Sequence, residues 1–225
     1  MKATAIVPAY NEAERIRPVL DAIAGSTLVD EVIVVDDGSE DDTAAVAAAH
    51  NGALVLGLPR NRGKAGALAA GVRKAANPVV VFLDADLVGL TEKHVDDLVA
   101  PVLSGEADMT VGQFWTGSPL VTVWMRFCPA ISGQRAMRAA DFLAIPNVAD
   151  TGFGVEVMVT RYAATKGLRI RYVHLPDITH VVKEHKRGVI RGLASRAIMY
   201  AQIARCTLRN GYHHLLQAAE ERQRG

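Results

Sequence analysis

Short runs of apolar, β-branched residues alternate with alanine-rich stretches of helical length through the first hundred positions. One of these runs, Val79-Val80-Val81-Phe82-Leu83, is apolar at every position, as a strand buried on both faces of a parallel sheet must be. Together the runs predict strands over 3–8, 31–35, 53–56 and 78–83, with helices over 12–24, 41–49 and 63–76 between them. Such a rhythm produces parallel strands joined by right-handed crossovers, and therefore an α/β fold of the Rossmann type. At the second helix, Ser39 is placed to act as N-cap, with Glu40, Asp41 and Asp42 against the positive helix end.

Beyond Asp86 the alternation weakens. A helix is predicted over 92–102 and a strand over 108–113, followed by a Gly- and Pro-interrupted apolar stretch, 116–131, near Trp115, Trp124 and Phe127. Further helices are predicted over 134–143 and 155–165, a strand over 169–174, and a final helix over 187–208 that mixes Ile190, Leu193, Ile198 and Ile203 with Arg191, Arg196 and Arg205. No repeat or linker divides the chain. It reads as one domain over 1–225, with a nucleotide-binding half (1–90), an acceptor-side half (91–186) and a helical tail (187–225).

Half of the residues are apolar, enough for a proper core, and the formal net charge is +1. A nearly balanced chain has no field suited to nucleic acid, so any anion it binds is met locally. The two cysteines, Cys128 and Cys206, read as reduced packing residues, and no apolar run reaches the length of a membrane span. These features fit a cytoplasmic protein that at most rests on a membrane surface.

In an open parallel sheet, ligands sit outside the carboxyl ends of the strands, so the residues after each predicted strand carry the most information. They are Pro8-Ala9-Tyr10-Asn11-Glu12, Asp36-Asp37-Gly38-Ser39, Arg60-Asn61-Arg62-Gly63-Lys64 and Asp84-Ala85-Asp86. Alternate carboxylates at Asp84 and Asp86 suit one hard divalent cation, Mg²⁺ or Mn²⁺, bridging a diphosphate. The alternative is turn chemistry or a helix cap. Asp36 is placed to accept hydrogen bonds from a base or ribose, and Lys64, at a helix start, to meet phosphate; a capped turn and a solvated lysine are the plainer readings.

Taken in order, Ile6-Val7-Pro8-Ala9-Tyr10-Asn11-Glu12, Val34-Val35-Asp36-Asp37-Gly38-Ser39, Gly63-Lys64-Ala65-Gly66 and Phe82-Leu83-Asp84-Ala85-Asp86 closely resemble the successive motifs of family-2-type glycosyltransferases of the GT-A fold. That resemblance implies a mostly parallel sheet and a nucleotide-sugar donor. It also implies that Pro8, Ala9, Tyr10, Glu12, Asp36 and Lys64 frame the nucleotide, and that Asp84 and Asp86 serve ribose and metal. Further on, Gly152-Phe153-Gly154-Val155-Glu156, Gly167-Leu168-Arg169-Ile170 and Lys183-Glu184-His185-Lys186-Arg187 resemble the acceptor-side region of glucosyl-3-phosphoglycerate synthases and, more loosely, dolichyl-phosphate mannosyltransferases. By that likeness His185 completes the metal shell and Glu156 faces the acceptor, as base or hydroxyl-positioning group. Gly133, Gln134 and Arg135, with Arg138, are expected to open a helix and receive an acceptor phosphate or carboxylate.

A P-loop is excluded by its details: five residues separate Gly57 from Gly63, and Ala65 follows Lys64. The first strand exit lacks the glycine pattern of a dinucleotide oxidoreductase, and the chain lacks the Gly-rich, Arg-containing loop of a nucleotidylyltransferase. The resemblance implies a hexosyltransferase using a UDP- or GDP-sugar and a small-molecule or lipid-phosphate acceptor; the non-enzyme alternative is a sugar-nucleotide-binding scaffold. For the C-terminal helix, packing on its own core is the plain expectation, with a homodimer or an anionic membrane surface as alternatives.

Overall fold

A computed structural model of the protein describes residues 1–50, 52–113, 132–150 and 154–180. The apolar stretch over 116–131, His185 and the helix expected over 187–208 lie outside the described residues. Strand β1 (Ala3–Ala9) leads to helix α1 (Ile16–Ala24), β2 (Val29–Asp36), α2 (Thr43–Ala48), β3 (Ala53–Gly57), α3 (Gly63–Val72) and β4 (Val79–Phe82). There follow β5 (Leu87–Val88), α4 (Glu92–Leu103), β6 (Met109–Gln113), β7 (Arg135–Arg138), α5 (Ala139–Leu143), a 3₁₀ turn (Val148–Asp150), α6 (Val155–Thr165), β8 (Ile170–His174) and β9 (Thr179–His180).

Seven strands form one mixed sheet in the order β3-β2-β1-β4-β7-β6-β8, while β5 and β9 pair in a separate ribbon. β1, β2, β3 and β4 are mutually parallel where they pair, β6 and β8 are parallel, and β7 runs antiparallel to both of its neighbours. The mostly parallel α/β sheet expected from the sequence is therefore present, with one reversed strand at its centre.

Each central strand feeds two cores because successive side chains point to opposite faces. On β4, Val79 and Val81 join a cluster with Ile16, Leu20, Val95 and Leu98 from α1 and α4. Val80 and Phe82 join the opposite cluster with Leu68, Phe142 and Val159 from α3, α5 and α6. Phe82 and Phe142 meet with ring centroids 5.0 Å apart, tilted by 59°. Truncating a fully buried side chain here, Leu98 for instance, costs about 2–5 kcal/mol.

Three local expectations are corrected. Residues 135–138 are a strand, so the helix expected over 134–143 shrinks to α5; pairing with β4 and β6 on both sides overrides the helical preference of Arg, Ala and Met. Ser39 does not cap α2: its amide donates to Asp36 Oδ1 at 3.1 Å and its hydroxyl accepts from the Asn11 amide at 3.0 Å. Helix α1 begins at Ile16, after a turn in which the Glu12 amide donates to Thr43 Oγ1 at 2.8 Å.

Candidate active site

At the carboxyl ends of β1 and β2, backbone register brings the strand exits together. Pro8 pairs with Val35 and Ala9 with Asp36, so the ends of β1 and β2 are level. Tyr10 follows, half-buried, and Asn11 adopts a left-handed φ of 56°, which asparagine tolerates better than most residues. The Asn11 side chain accepts from the Glu40 amide at 2.8 Å, tying the two exits into one rim. Glu12 is buried and turned to Arg15 at 2.7 Å, so its carboxylate braces the rim from below.

Asp36 and Asp37 are both buried, but they do different work. Asp36 accepts from the Ser39 amide, closing its own turn. Asp37 accepts from the amides of Arg62 at 2.7 Å and Gly63 at 2.8 Å, and so fixes the residue before Lys64. Burial pushes the Asp37 carboxyl above its usual range, against the lowering effect of those two amides. Sequence reasoning gave Asp37 no such role; the signal available was an Asp-Gly pair at a strand exit facing a second glycine-opened helix.

The centre of the site is an ion cluster drawn from four elements. Lys64, at the start of α3, places its ammonium 2.6 Å from Asp84 Oδ1 and 2.8 Å from Glu156 Oε1. Asp84 follows β4, and Glu156 lies in the first turn of α6, where the helix dipole also favours a carboxylate. Burial lowers the Lys64 pKa, but the attraction of Asp84 and then Glu156 outweighs it, and the net shift is upward. Gly133 closes the cluster from the start of β7: a Cβ there would press on the Lys64 ammonium and come within 2.8 Å of Asp84 Oδ2. Only glycine lets the backbone pass at this distance.

Gln134 and Arg135, expected to receive an acceptor, are turned inward. Gln134 donates to Asp84 Oδ2 at 2.9 Å. Arg135, 2% exposed, donates to the Glu156 carbonyl and to Thr160 Oγ1, each at 3.2 Å, and to the Ser132 carbonyl at 2.5 Å. Burial lowers its pKa against the attraction of Glu156. Arg138 is a correction: its register partner is Val79, at the start of β4, which puts it at the far edge of the sheet from the cluster.

Asp84 and Asp86 are half-buried on either side of buried Ala85. Mg²⁺ and Mn²⁺ are commonly held by one or two carboxylates, with water and phosphate oxygens completing the shell, so this donor set fits such an ion. Among the described residues no group of three His, Cys, Asp or Glu side chains is assembled for a metal. A cavity of about 430 Å³ lies elsewhere, between α4 and β8, lined by Asp97, Ser104, Glu106, Arg171 and His174; Lys64, Asp84, Asp86 and Glu156 are not part of it.

Comparison with known proteins places this geometry. Glucosyl-3-phosphoglycerate synthase of Mycobacterium tuberculosis (strain H37Rv) is 32% identical over 177 residues, which are 72% of this chain and 53% of the synthase. The chain thus spans about half the length of the synthases it matches. Dolichyl-phosphate beta-glucosyltransferase of Mus musculus is 38% identical over 96 residues, 36% of this chain and 30% of that enzyme. The crystal structure of the M. tuberculosis synthase with Mn²⁺, UDP-glucose and phosphoglyceric acid superposes with a TM-score of 0.70 and 29% identity, covering 91% of this chain and 79% of that one. Its complex with Mg²⁺ and UDP superposes with a TM-score of 0.75 and 26% identity, over 93% and 79% respectively. The family model for glycosyl transferase family 2 matches residues 4–162, from β1 into α6 and through every element of the ion cluster. The chain has the GT-A fold of those structures and belongs to glycosyl transferase family 2.

Proposed function

We propose that this chain is a metal-dependent hexosyltransferase that moves a sugar from a nucleoside-diphosphate donor to a hydroxyl of a phosphoglycerate-like acceptor. UDP-glucose is the donor best supported, because the M. tuberculosis synthase is seen with UDP-glucose, Mn²⁺ and phosphoglyceric acid. The observation that carries the reading is the Lys64 ammonium held between Asp84 and Glu156 at the carboxyl edge of the sheet.

In this reading the donor-side rim, Pro8, Ala9, Tyr10 and Asp36, frames base and ribose, with Glu12 bracing it through Arg15. Asp84 accepts from ribose hydroxyls. Lys64 offers positive charge to the diphosphate, and being fixed beforehand it needs no reorganisation as charge grows on the leaving group. Asp86, with His185, would hold the Mg²⁺ or Mn²⁺ ion. When bound, that ion supplies electrostatic neutralisation of the departing diphosphate. Pairing of His180 with Leu87 supports His185 for this role: the chain passes beside Asp86 five residues earlier, and five extended residues reach about 17 Å. Glu156 faces the acceptor and positions or deprotonates its hydroxyl. Gly133, Gln134 and Arg135 form the wall behind it, Arg135 fixing the first turn of α6 from below.

The test is ligand-induced stabilisation followed by turnover. UDP at about a hundred times its Kd stabilises a single-site protein by about 2.7 kcal/mol, which appears as a rise in melting midpoint. UDP should do this with Mn²⁺ and much less with EDTA; UDP-glucose should then be consumed when 3-phosphoglycerate is added. Polyprenyl phosphate is the control acceptor, because the dolichyl-phosphate relative matches 36% of this chain against 72% for the synthase. Absence of any stabilisation by UDP or GDP with the metal would remove the proposal. Stabilisation without turnover of any donor would favour a binding scaffold.

A further inference from the structure

Gln134 enters β7 with its side chain sealed from solvent, where an amide is costly unless its groups are paired. Its backbone is fixed by β6: the Gln134 carbonyl accepts the Gly112 amide at 2.8 Å. Its side chain forms a bridge, with Nε2 donating to Asp84 Oδ2 at 2.9 Å and Oε1 accepting from the Ser132 hydroxyl at 3.1 Å. Ser132 is itself buried, and its carbonyl is held by Arg135. An ionised carboxylate only accepts and an amide nitrogen only donates, so Asp84 settles which way the amide faces, and the Ser132 hydroxyl anchors its other end by donating to Oε1.

The two oxygens of Asp84 therefore meet different chemistry. Oδ1 meets the Lys64 ammonium and Oδ2 meets a neutral amide. Lys64 balances charge, while Gln134 restrains the carboxylate without cancelling any of it. A second cation at this place would draw off the negative charge that Asp84 needs for hydroxyl or metal partners.

We propose that Gln134, anchored at its other end by Ser132, is a positioning residue that acts on the donor through Asp84 by fixing the plane of its carboxylate. This rests on the proposed function, in which Asp84 contacts the donor. The experiment is a double-mutant cycle on the full chain, read as the Kd of UDP in saturating Mn²⁺ by calorimetry. Gln134→Met should raise that Kd about tenfold, since it removes a hydrogen bond to a charged group. In an Asp84→Asn background the same change should shift it by less than about twofold, because no carboxylate remains to be oriented. Gln134→Glu should be worse than Gln134→Met alone, but milder than it in the Asp84→Asn background, where the new amide can donate to the new carboxylate. Ser132→Ala, which leaves the Gln134 packing intact, should raise the Kd about threefold, and this covers the case in which Gln134→Met does not fold.

Equal factors in both backgrounds would reveal a packing role and overturn the proposal. So would an unchanged Kd in both Ser132→Ala and Gln134→Met. Loss of UDP binding in the wild-type chain is a separate result, and it would remove the proposed function itself.

Discussion

The two halves of the sheet reach the same site by opposite routes. In the first half, β1, β2, β3 and β4 run towards it, so each strand delivers its polar residues at its end. There main-chain amides meet side-chain acceptors: the Asn11 amide on Ser39, the Arg62 and Gly63 amides on Asp37, with level register at Ala9 and Asp36. In the second half, β7 runs away from the site, and Ser132, Gly133 and Gln134 precede the strand. Here the groups are set by buried side chains, with Arg135 tying β7 to α6 and Gln134 tying it to Asp84. The rim therefore depends on its acceptor side chains alone, Ser39 and Asp37, whereas the wall depends on side chains at both ends of the Gln134–Asp84 bond.

That contrast can be broken or sharpened by substitution. The largest effect is expected at Asp86, where Asp86→Ala should cut turnover by about a thousandfold, the scale of losing a main electrostatic stabiliser, with the melting midpoint unchanged. Wild-type turnover in that variant would remove the metal assignment. Lys64→Ala should follow at about a hundredfold, and since Lys64 touches both halves it should weaken UDP binding as well. Glu156→Gln should lower turnover by a similar or smaller factor while UDP with Mn²⁺ still raises the melting midpoint; lost stabilisation would place Glu156 on the donor side instead. Gly133→Ala should cost about 1–3 kcal/mol by overpacking, measured by urea unfolding, and depress turnover through Lys64 and Asp84 together.

The smallest effects lie away from the ion cluster and show as pH dependence. Burial lowers the pKa of His94, which shares a capping box with Thr91 at the start of α4. The unfolded chain therefore takes up this proton first, and stability should fall as pH drops below about 6.5. The urea midpoint of His94→Gln should be flatter with pH than that of the wild type. Asp108 is held down to about 2, first by the Arg169 side chain and then by its amide. Its contribution is fully present above the ordinary carboxylate pKa and is lost as pH falls towards 2. Asp108→Asn should lower the melting midpoint at pH 7 by no more than about 3 °C, because Arg169 is exposed and screened.

The first half of the sheet is readable from the sequence because its signals are local. A run of apolar residues followed by a polar exit gives β1, β2 and β4 and the positions of Asp36 and Asp84 within a residue or two. β7 was not readable, since Arg135-Ala136-Met137-Arg138 is a helix-favouring string too short to show alternation, and only its neighbours make it a strand. The same limit hid the cluster: Lys64 and Glu156 each carry a plausible separate reading, and nothing in their spacing says that they meet. The family motifs indicated which residues gather at the site, though not that Gln134 and Arg135 face inward.

The reversed strand links the building of the sheet to the building of the site. Arg135 begins β7 opposite Phe82 of β4 and Val111 of β6, so the residues just before it, Gly133 and Gln134, come to lie against Asp84 as it leaves β4. The strand that fills the gap between β4 and β6 is thus also the one that hems in the Asp84 carboxylate. Loosening its ladder would slacken the cluster with it.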